Sequence, residues 1–240
     1  DFVVSADSIS STLWTDGSPS LQTAFTSSTQ AAGSSGDFYL NVYQTAATES
    51  VQFALTYGNS MGSGSAVYNP AVDGRTPTST VYGQWQDLVI GDENTDFVFG
   101  AVSVPEFFAM PFERATYKES LFLGSTGLSI SGTLGTVELT DNSNYVTSVQ
   151  FNEAGRVFQL ISGSAGVKSA NTLNTEGYSV DSGSYGWLLP DIGTILLNPH
   201  ALSGSLADGG CGFIYSGSGY SGSLSYISNT AAPSQMFRAI

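Results

Sequence analysis

Apolar and polar residues alternate along much of this chain, and this period of two constrains its fold more than any other feature. Two such runs are FYLNVY, residues 38–43, and SVQFALTY, residues 50–57. One face of the first run carries Phe38, Leu40 and Val42, and one face of the second carries Val51, Phe53, Leu55 and Tyr57. Successive side chains of a strand point to opposite faces, so each run predicts a half-buried strand. With the polar QTAATES between them, the two runs predict a β-hairpin.

Further short runs predict more strands. They cover residues 96–104, 127–131, 136–140, 145–151, 156–161, 194–197, 212–215 and 224–227. Turn-forming clusters separate them, among them DNSN (141–144), NEAG (152–155) and SGSAG (162–166). Short strands at this spacing are typical of sandwiches and barrels. The sequence therefore predicts an all-β fold of sandwich-like or barrel-like antiparallel sheets, with Gly/Ser-rich turns and at most one or two short helices.

Domain organisation is constrained less tightly. A chain of 240 residues fits one large domain or two small ones. We expect one mainly β unit over residues 1–240, with a candidate sub-boundary near 104–124 that would separate β subdomains at 1–105 and 106–240. Dense Ser-Gly pairs over residues 203–225 predict a loop-rich, surface-exposed region.

One segment, VPEFFAMPFERATYKESL (104–121), has helical features. Pro111 suits a first helical turn, and Arg114 and Lys118 lie four residues apart. The same segment also alternates, with Phe108, Met110, Phe112 and Arg114 on one side, so an edge strand with a proline is the alternative. We expect a strand followed by a short helix.

The charge of the chain excludes several classes of partner. Charged residues make up 11%, with 6 Lys+Arg against 20 Asp+Glu, for a formal net charge of −14. Binding to phosphates requires clustered Lys and Arg, so the sequence predicts no nucleic-acid partner and no attraction to anionic membranes.

The chain contains no run of about 18 apolar residues, so the sequence predicts no membrane-spanning helix. Cys211, the single cysteine, allows no intrachain disulfide or thiolate metal site, and we expect it to be buried.

The motif GNSMG places Ser60 in a Gly-x-Ser-x-Gly pattern. Together with Asp191 and His200, the single histidine, it has the serine, acid, histidine order of the α/β-hydrolases. A nucleophile elbow needs a helix directly after the motif, but SGSAVYNPAVDGRTPT follows, with glycines and two prolines. The sequence therefore favours Ser60 in a turn and His200 as a surface or turn residue.

The segment GDENTD (91–96) concentrates acidic and amide side chains. An EF-hand-like loop needs Gly at its sixth position and Glu at its twelfth, where this chain has Phe97 and Ser103. A solvated turn before the next strand is the better interpretation, and we predict no metal site and no cofactor.

A sugar-binding surface is a second functional alternative. Exposed aromatic rings stack on sugars, and Trp14, Trp85 and Trp187 are candidates for such a platform. A tryptophan among alternating apolar residues is more often part of the core, however.

Arg114 and Lys118 are two of only six basic residues. We expect them to pair with Glu113, Glu119 or the carboxylates of a neighbouring subunit. In a self-assembling protein they are the candidate subunit-contact residues.

Several segments, in order, resemble a family of virion structural proteins from contractile-tailed phages (myoviruses), especially those that infect marine cyanobacteria. The segments are LWTDGSPSLQTAFTSSTQ, VQFALTYGNSMGSGS, STVYGQWQDLVIGDENTDFVFG, FERATYKESL, GRVFQLISGSAGV and YGWLLPDIGTILLNPHAL. They span roughly residues 13–240, and their order is more specific than any single motif.

The resemblance implies a non-enzymatic structural component of the phage particle, most plausibly of the tail or baseplate, with no catalytic residues. Its expected partners are other virion proteins and copies of itself in a symmetric homo-oligomer, assembled in the cytoplasm of the bacterial host. A β-rich chain poor in Lys suits this role because neighbouring subunits cover strand edges. A secreted or surface-displayed glycan-binding module and a serine hydrolase that uses Ser60 remain the alternatives.

Overall fold

The computed structural model describes residues 6–8, 26–28, 39–43, 51–62, 77–92, 94–99, 102–112, 123–169 and 185–213. About half of these residues form antiparallel strands and far fewer form helix, which confirms the predicted all-β fold. The first six strands are β1 (Ala6–Ser8), β2 (Thr26–Ser28), β3 (Tyr39–Tyr43), β4 (Val51–Asn59), β5 (Phe97–Phe99) and β6 (Val102–Val104). The next eight are β7 (Glu106–Pro111), β8 (Leu128–Ser131), β9 (Thr136–Asp141), β10 (Gln150–Asn152), β11 (Gly155–Ser164), β12 (Val167–Lys168), β13 (Gly186–Leu189) and β14 (Thr194–Leu197).

Twelve of these strands form one sheet that curls into a half-barrel. Their order is β1-β2-β3-β4-β7-β14-β13-β11-β9-β8, and β10 and β12 pair with β11. The remaining two strands, β5 and β6, form a separate hairpin. The predicted hairpin of β3 and β4 is present, with Leu40 opposite Leu55.

The central strands are buried on both faces. On β7, Phe108 and Met110 join one apolar cluster, whereas Phe107 and Ala109 join a second. Helix α1 (Pro77–Ile90) and the β5–β6 hairpin contribute to the second cluster, which covers that face of the sheet. Burial on both faces explains why FFAM on β7 and ILL on β14 are continuous apolar runs instead of alternating ones.

The structure places the longer helix where the sequence analysis did not. Helix α1 is Pro77–Ile90, and the short α2 is Pro199–Ser203, followed by a 3₁₀ turn at Leu206–Asp208. The strand expected at the start of 104–121 is present as β7, residues 106–111, and the short helix expected after it falls at 113–122, outside the described residues. β7 is also a central strand between β4 and β14, not an edge strand, and Pro111 is its last residue.

Four further predictions need correction. Residues 96–104 form the two short strands of a hairpin instead of one strand. Only 150–152 of the predicted strand at 145–151 joins the sheet, and residues 212 and 213 are not in a strand. Within the predicted exposed loop at 203–225, residues 209–213 are buried, because Cys211 and Phe213 pack into the core. Strand β13 was not predicted.

Candidate functional site

A buried polar network lies where β4, β7 and α2 meet. Its centre is Glu106, the first residue of β7, which is 1% exposed. Glu106 Oε1 lies 2.6 Å from Nε2 of His200. Its Oε2 accepts a hydrogen bond from the hydroxyl of Tyr57 and one from Nδ2 of Asn59 at 3.0 Å. Both oxygens of the buried carboxyl group therefore have partners, as burial of such a group requires.

The position of His200 follows from the local sequence Asn-Pro-His. Asn198 is the N-cap of α2, and its Oδ1 accepts from the backbone N–H of His200 at 3.0 Å. Pro199 occupies the start of the helix, where no N–H is needed. The imidazole is thereby directed at Glu106, and 20% of the side chain stays exposed. The prediction that His200 is a surface or turn residue is wrong.

The network raises the pKa of Tyr57 far above its ordinary value. Burial is the largest cause, and the charge of Glu106 and the hydrogen bond to it act in the same direction. Tyr57 therefore stays protonated and donates to Glu106, while Asn59 Nδ2 also lies 3.2 Å from the Tyr57 hydroxyl. These contacts make the network a cross-link between two neighbouring strands and a helix.

The Ser60, Asp191 and His200 triad is not assembled. Asp191 accepts from Nε and Nη2 of Arg156, at 3.0 and 2.6 Å, and His200 is bound to Glu106. Ser60 lies in the predicted turn, in which Gly62 N donates to Asn59 O at 3.0 Å. Among the described residues only Ala165 is a non-glycine with positive φ, so Ser60 lacks the strained backbone of a nucleophile elbow.

The other predicted site residues lie in a core cluster, in a turn or outside the described residues. Trp85 and Trp187 are half-buried against the second apolar cluster and form no exposed row; Trp14 lies outside the described residues. Asp92 caps the predicted solvated turn by accepting from Asn94 N at 2.8 Å. The candidate subunit-contact residues Arg114 and Lys118 also lie outside the described residues.

A different surface was missed by the sequence analysis. Residues 144–151 are exposed without interruption and carry no charged side chain; we call them the exposed strip. Residues 144–149 lie outside the sheet between β9 and β10, which pair with successive parts of β11, and residues 150 and 151 belong to β10. The exposed fractions are 72% for Phe151 and 45% for Tyr145. The alternating apolar residues of this segment predict a strand, although the DNSN turn before it indicates that the chain leaves the sheet.

The strip is linked to the β11–β12 hairpin. Asn144 Nδ2 donates to Gly166 O at 3.1 Å, and the Tyr145 hydroxyl accepts from Lys168 N at 3.0 Å. Val167 lies between Gly166 and Lys168 in the sequence, and its side chain is 66% exposed. Val167 therefore lies beside the start of the strip, next to Asn144 and Tyr145.

Comparison of the chain with protein-family models, with curated proteins and with solved structures found no match in any of the three. None of the described helices is long and apolar enough to cross a bilayer. Within the described ranges, no three His, Cys, Asp or Glu side chains are grouped so that they could hold a metal ion.

Proposed function

We propose that this protein is a non-enzymatic structural component of a phage particle, most plausibly of the tail or baseplate, that works by packing against neighbouring subunits. The ordered segments that resemble virion proteins of contractile-tailed phages support the assignment to a particle. The observation that carries the packing role is the exposed strip. It presents apolar side chains to solvent on a chain whose net charge is otherwise strongly negative.

The strip has the properties of a subunit contact. Scattered single apolar residues on a surface need no explanation, but neighbouring ones mark interaction sites. Here Tyr145, Val146, Val149 and Phe151 are exposed within eight consecutive residues, and Val167 adjoins them. The centres of protein interfaces are depleted in charge and enriched in aromatic residues, and the strip has both characteristics.

The Glu106 network supports a structural role and not a catalytic one. A general base needs a free acceptor within reach of a substrate. Glu106 is 1% exposed and its two oxygens accept from His200, Tyr57 and Asn59. The network is better suited to fixing β4, β7 and α2 against each other.

The test is mass spectrometry of purified phage particles from the source of this sequence. The expected result is the chain in several copies per particle, at a constant ratio to the other tail proteins. A chain that is abundant in the infected cells but absent from purified particles would contradict the proposal. Fluorophosphonate labelling of the folded protein, with Ser60→Ala as control, checks the hydrolase alternative, and we expect no Ser60-dependent labelling.

A further inference from the structure

A groove opens beside β9, where its pairing with β11 ends. The two strands pair through residues 139–141 and 160–162, and residues 163 and 164 of β11 pair with β12. Residues 136–138 of β9 pair with β8 and also line the groove, together with the β11–β12 hairpin and the 3₁₀ turn at Leu206–Asp208. The volume of the groove is about 520 Å³, which is in the range of sites for small ligands.

The walls of the groove combine aliphatic side chains with hydroxyl groups. Val137, Val167 and Leu206 are the aliphatic residues. Val167 is 66% and Leu206 50% exposed, so both can contact a ligand. The hydroxyls include those of Ser162 and Ser169, whose Oγ atoms lie 2.6 Å apart. Each of these oxygens has a second lone pair with which it can accept a hydrogen bond from a ligand.

Glu138 is the carboxylate that lines the groove. Among the residues that the structure describes, no side chain forms an ion pair or a hydrogen bond with this carboxylate. Lys168 also lines the groove, but its Nζ lies 5.4 Å from the centre of the ring of Tyr145, which is not part of the lining. The negative charge of Glu138 can therefore pair with a ligand.

These features favour a ligand that has a short alkyl chain and a positively charged end. Aliphatic walls suit methylene groups, as an apolar surface suits the stem of a lysine. An ammonium group has three donors, for which Glu138 and the neighbouring hydroxyls supply acceptors. The net charge of −14 attracts cations and repels anions. A sugar would lack an aromatic ring to stack on, because none of the lining residues is aromatic.

We propose that this groove binds a primary alkylammonium group, with Glu138 as the ion-pair partner and Val137, Val167 and Leu206 as contacts of the alkyl chain. A lysine side chain of another protein and a free aliphatic amine share this chemistry. The inference goes beyond the packing role proposed above and does not depend on it, because its test uses the isolated chain.

The test is titration of the full purified chain with n-butylammonium chloride, followed by saturation-transfer difference NMR. We expect saturable binding that weakens as salt is added, because an exposed ion pair is screened. Two ligands of the same length are the controls: n-butanol lacks the charge, and butyrate carries the opposite charge. We expect neither control to bind.

Two matched pairs of variants test the residues. We expect Glu138→Gln to weaken binding of n-butylammonium by about fivefold, as is typical of a partly exposed ion pair, and Glu153→Gln, an exposed carboxylate outside the groove, to leave it unchanged. Leu206→Ser is expected to weaken binding by about threefold. Its control is Leu134→Ser, which is 54% exposed and does not line the groove. Unchanged thermal unfolding will show that the variants fold.

The source of the ammonium group is tested with two further ligands. Binding of Nα-acetyl-lysine N-methylamide at least as tight as that of n-butylammonium supports a lysine of a partner protein, whereas binding of 1,5-diaminopentane alone supports a free amine. The inference is overturned if n-butylammonium does not bind, if n-butanol binds equally well, or if Glu138→Gln binds like wild type. None of these results affects whether the chain is found in purified phage particles, so the two proposals fail separately.

Discussion

Glu106 shows how one side chain determines the arrangement of several elements. It stands between Pro105 and the apolar run FFAM, where a charged residue is costly unless it is paired. The partners come from far along the chain: Tyr57 is 49 residues away and His200 is 94. A carboxylate directly before an apolar run indicates a buried, paired charge, but the sequence does not identify the partners of Glu106.

Replacing Glu106 by Gln keeps the shape of the side chain but removes an acceptor, because the amide nitrogen can only donate. We expect Glu106→Gln to lower the free energy of unfolding by about 3 kcal/mol, as is typical when one member of a buried pair is removed. Urea unfolding monitored by tryptophan fluorescence measures the change. Glu138→Gln, at an exposed position of β9, is the control and should change stability by less than about 0.5 kcal/mol. Equal effects of both variants would contradict the role of Glu106.

Asp141 is a second buried carboxylate with a defined task. It accepts from the backbone N–H groups of Gly124, Thr126 and Ser143 and from the Ser143 hydroxyl. Burial of Asp141 acts to raise its pKa, but the hydrogen bonds from Ser143, Gly124 and Thr126 outweigh burial and hold the pKa below its ordinary value. Asp141 thereby fixes the chain before β8 to the end of β9.

Because the pKa of Asp141 is lowered in the folded state, the contribution of Asp141 to the free energy of unfolding depends on pH. It is present above the pKa of an unfolded aspartate, about 3.9, and is lost as the pH falls through the lower pKa of the folded state. We expect Asp141→Asn to destabilise the protein at neutral pH and to reduce the loss of stability on acidification below about pH 4. Thermal unfolding at a series of pH values measures both effects. The exposed Asp87→Asn is the control; an acid profile of Asp141→Asn that matches wild type would contradict the assignment.

At the scale of single elements, the two residues of the β11–β12 turn differ in how well they tolerate its backbone conformation. The two-residue turn is Ala165-Gly166, with φ of 49° and 78°. A positive φ at both positions matches the right-handed twist of a hairpin and is costly for alanine. The SGSAG pattern predicts a turn. It does not show that Ala165 adopts a positive φ or that Gly166 has no room for a side chain.

Variants of the two turn residues are expected to have opposite effects. Ala165→Gly should raise the free energy of unfolding by about 0.5 kcal/mol, since relief of the backbone strain exceeds the added entropy of the unfolded chain. Gly166→Ala should lower it by about 2 kcal/mol or more, because the new Cβ would lie 1.8 Å from Gly124 O in addition to the strain. Denaturant unfolding of both variants measures the difference, and changes of the same sign would contradict the assignment of the turn.

Helix α1 shows why local patterns were insufficient for some elements. Its sequence contains β-branched residues and Gly83, which are poor helix formers. Its buried residues nevertheless follow helical spacing, at Thr78, Val81, Tyr82, Gln86 and Val89. Tyr82 fixes the helix to the β5–β6 hairpin by donating to Val104 O at 2.7 Å. Tertiary packing therefore outweighs propensity here, and the spacing was the signal that could have found the helix.

At the scale of the whole molecule, alternation was enough to predict the fold class, and it predicted best the strands with one buried face, such as β4 and β9. It did not predict β13, which is buried on both faces between β11 and β14 and whose GWLL run has no period of two. The exposed strip was mispredicted for the opposite reason: it alternates like a strand throughout, but only Gln150 and Phe151 are paired, as part of β10. Strand order, pairing and the partners of Glu106 all depend on contacts between distant parts of the chain.

The most direct test of the packing role is a cryo-electron microscopy map of the intact phage particle. We predict density for the curled antiparallel sheet in symmetric copies, with residues 144–151 of each copy buried against a neighbouring subunit. A map of the complete tail and baseplate in which no density fits this fold would contradict the assignment to the particle. Copies in which residues 144–151 face solvent would contradict the role of the strip.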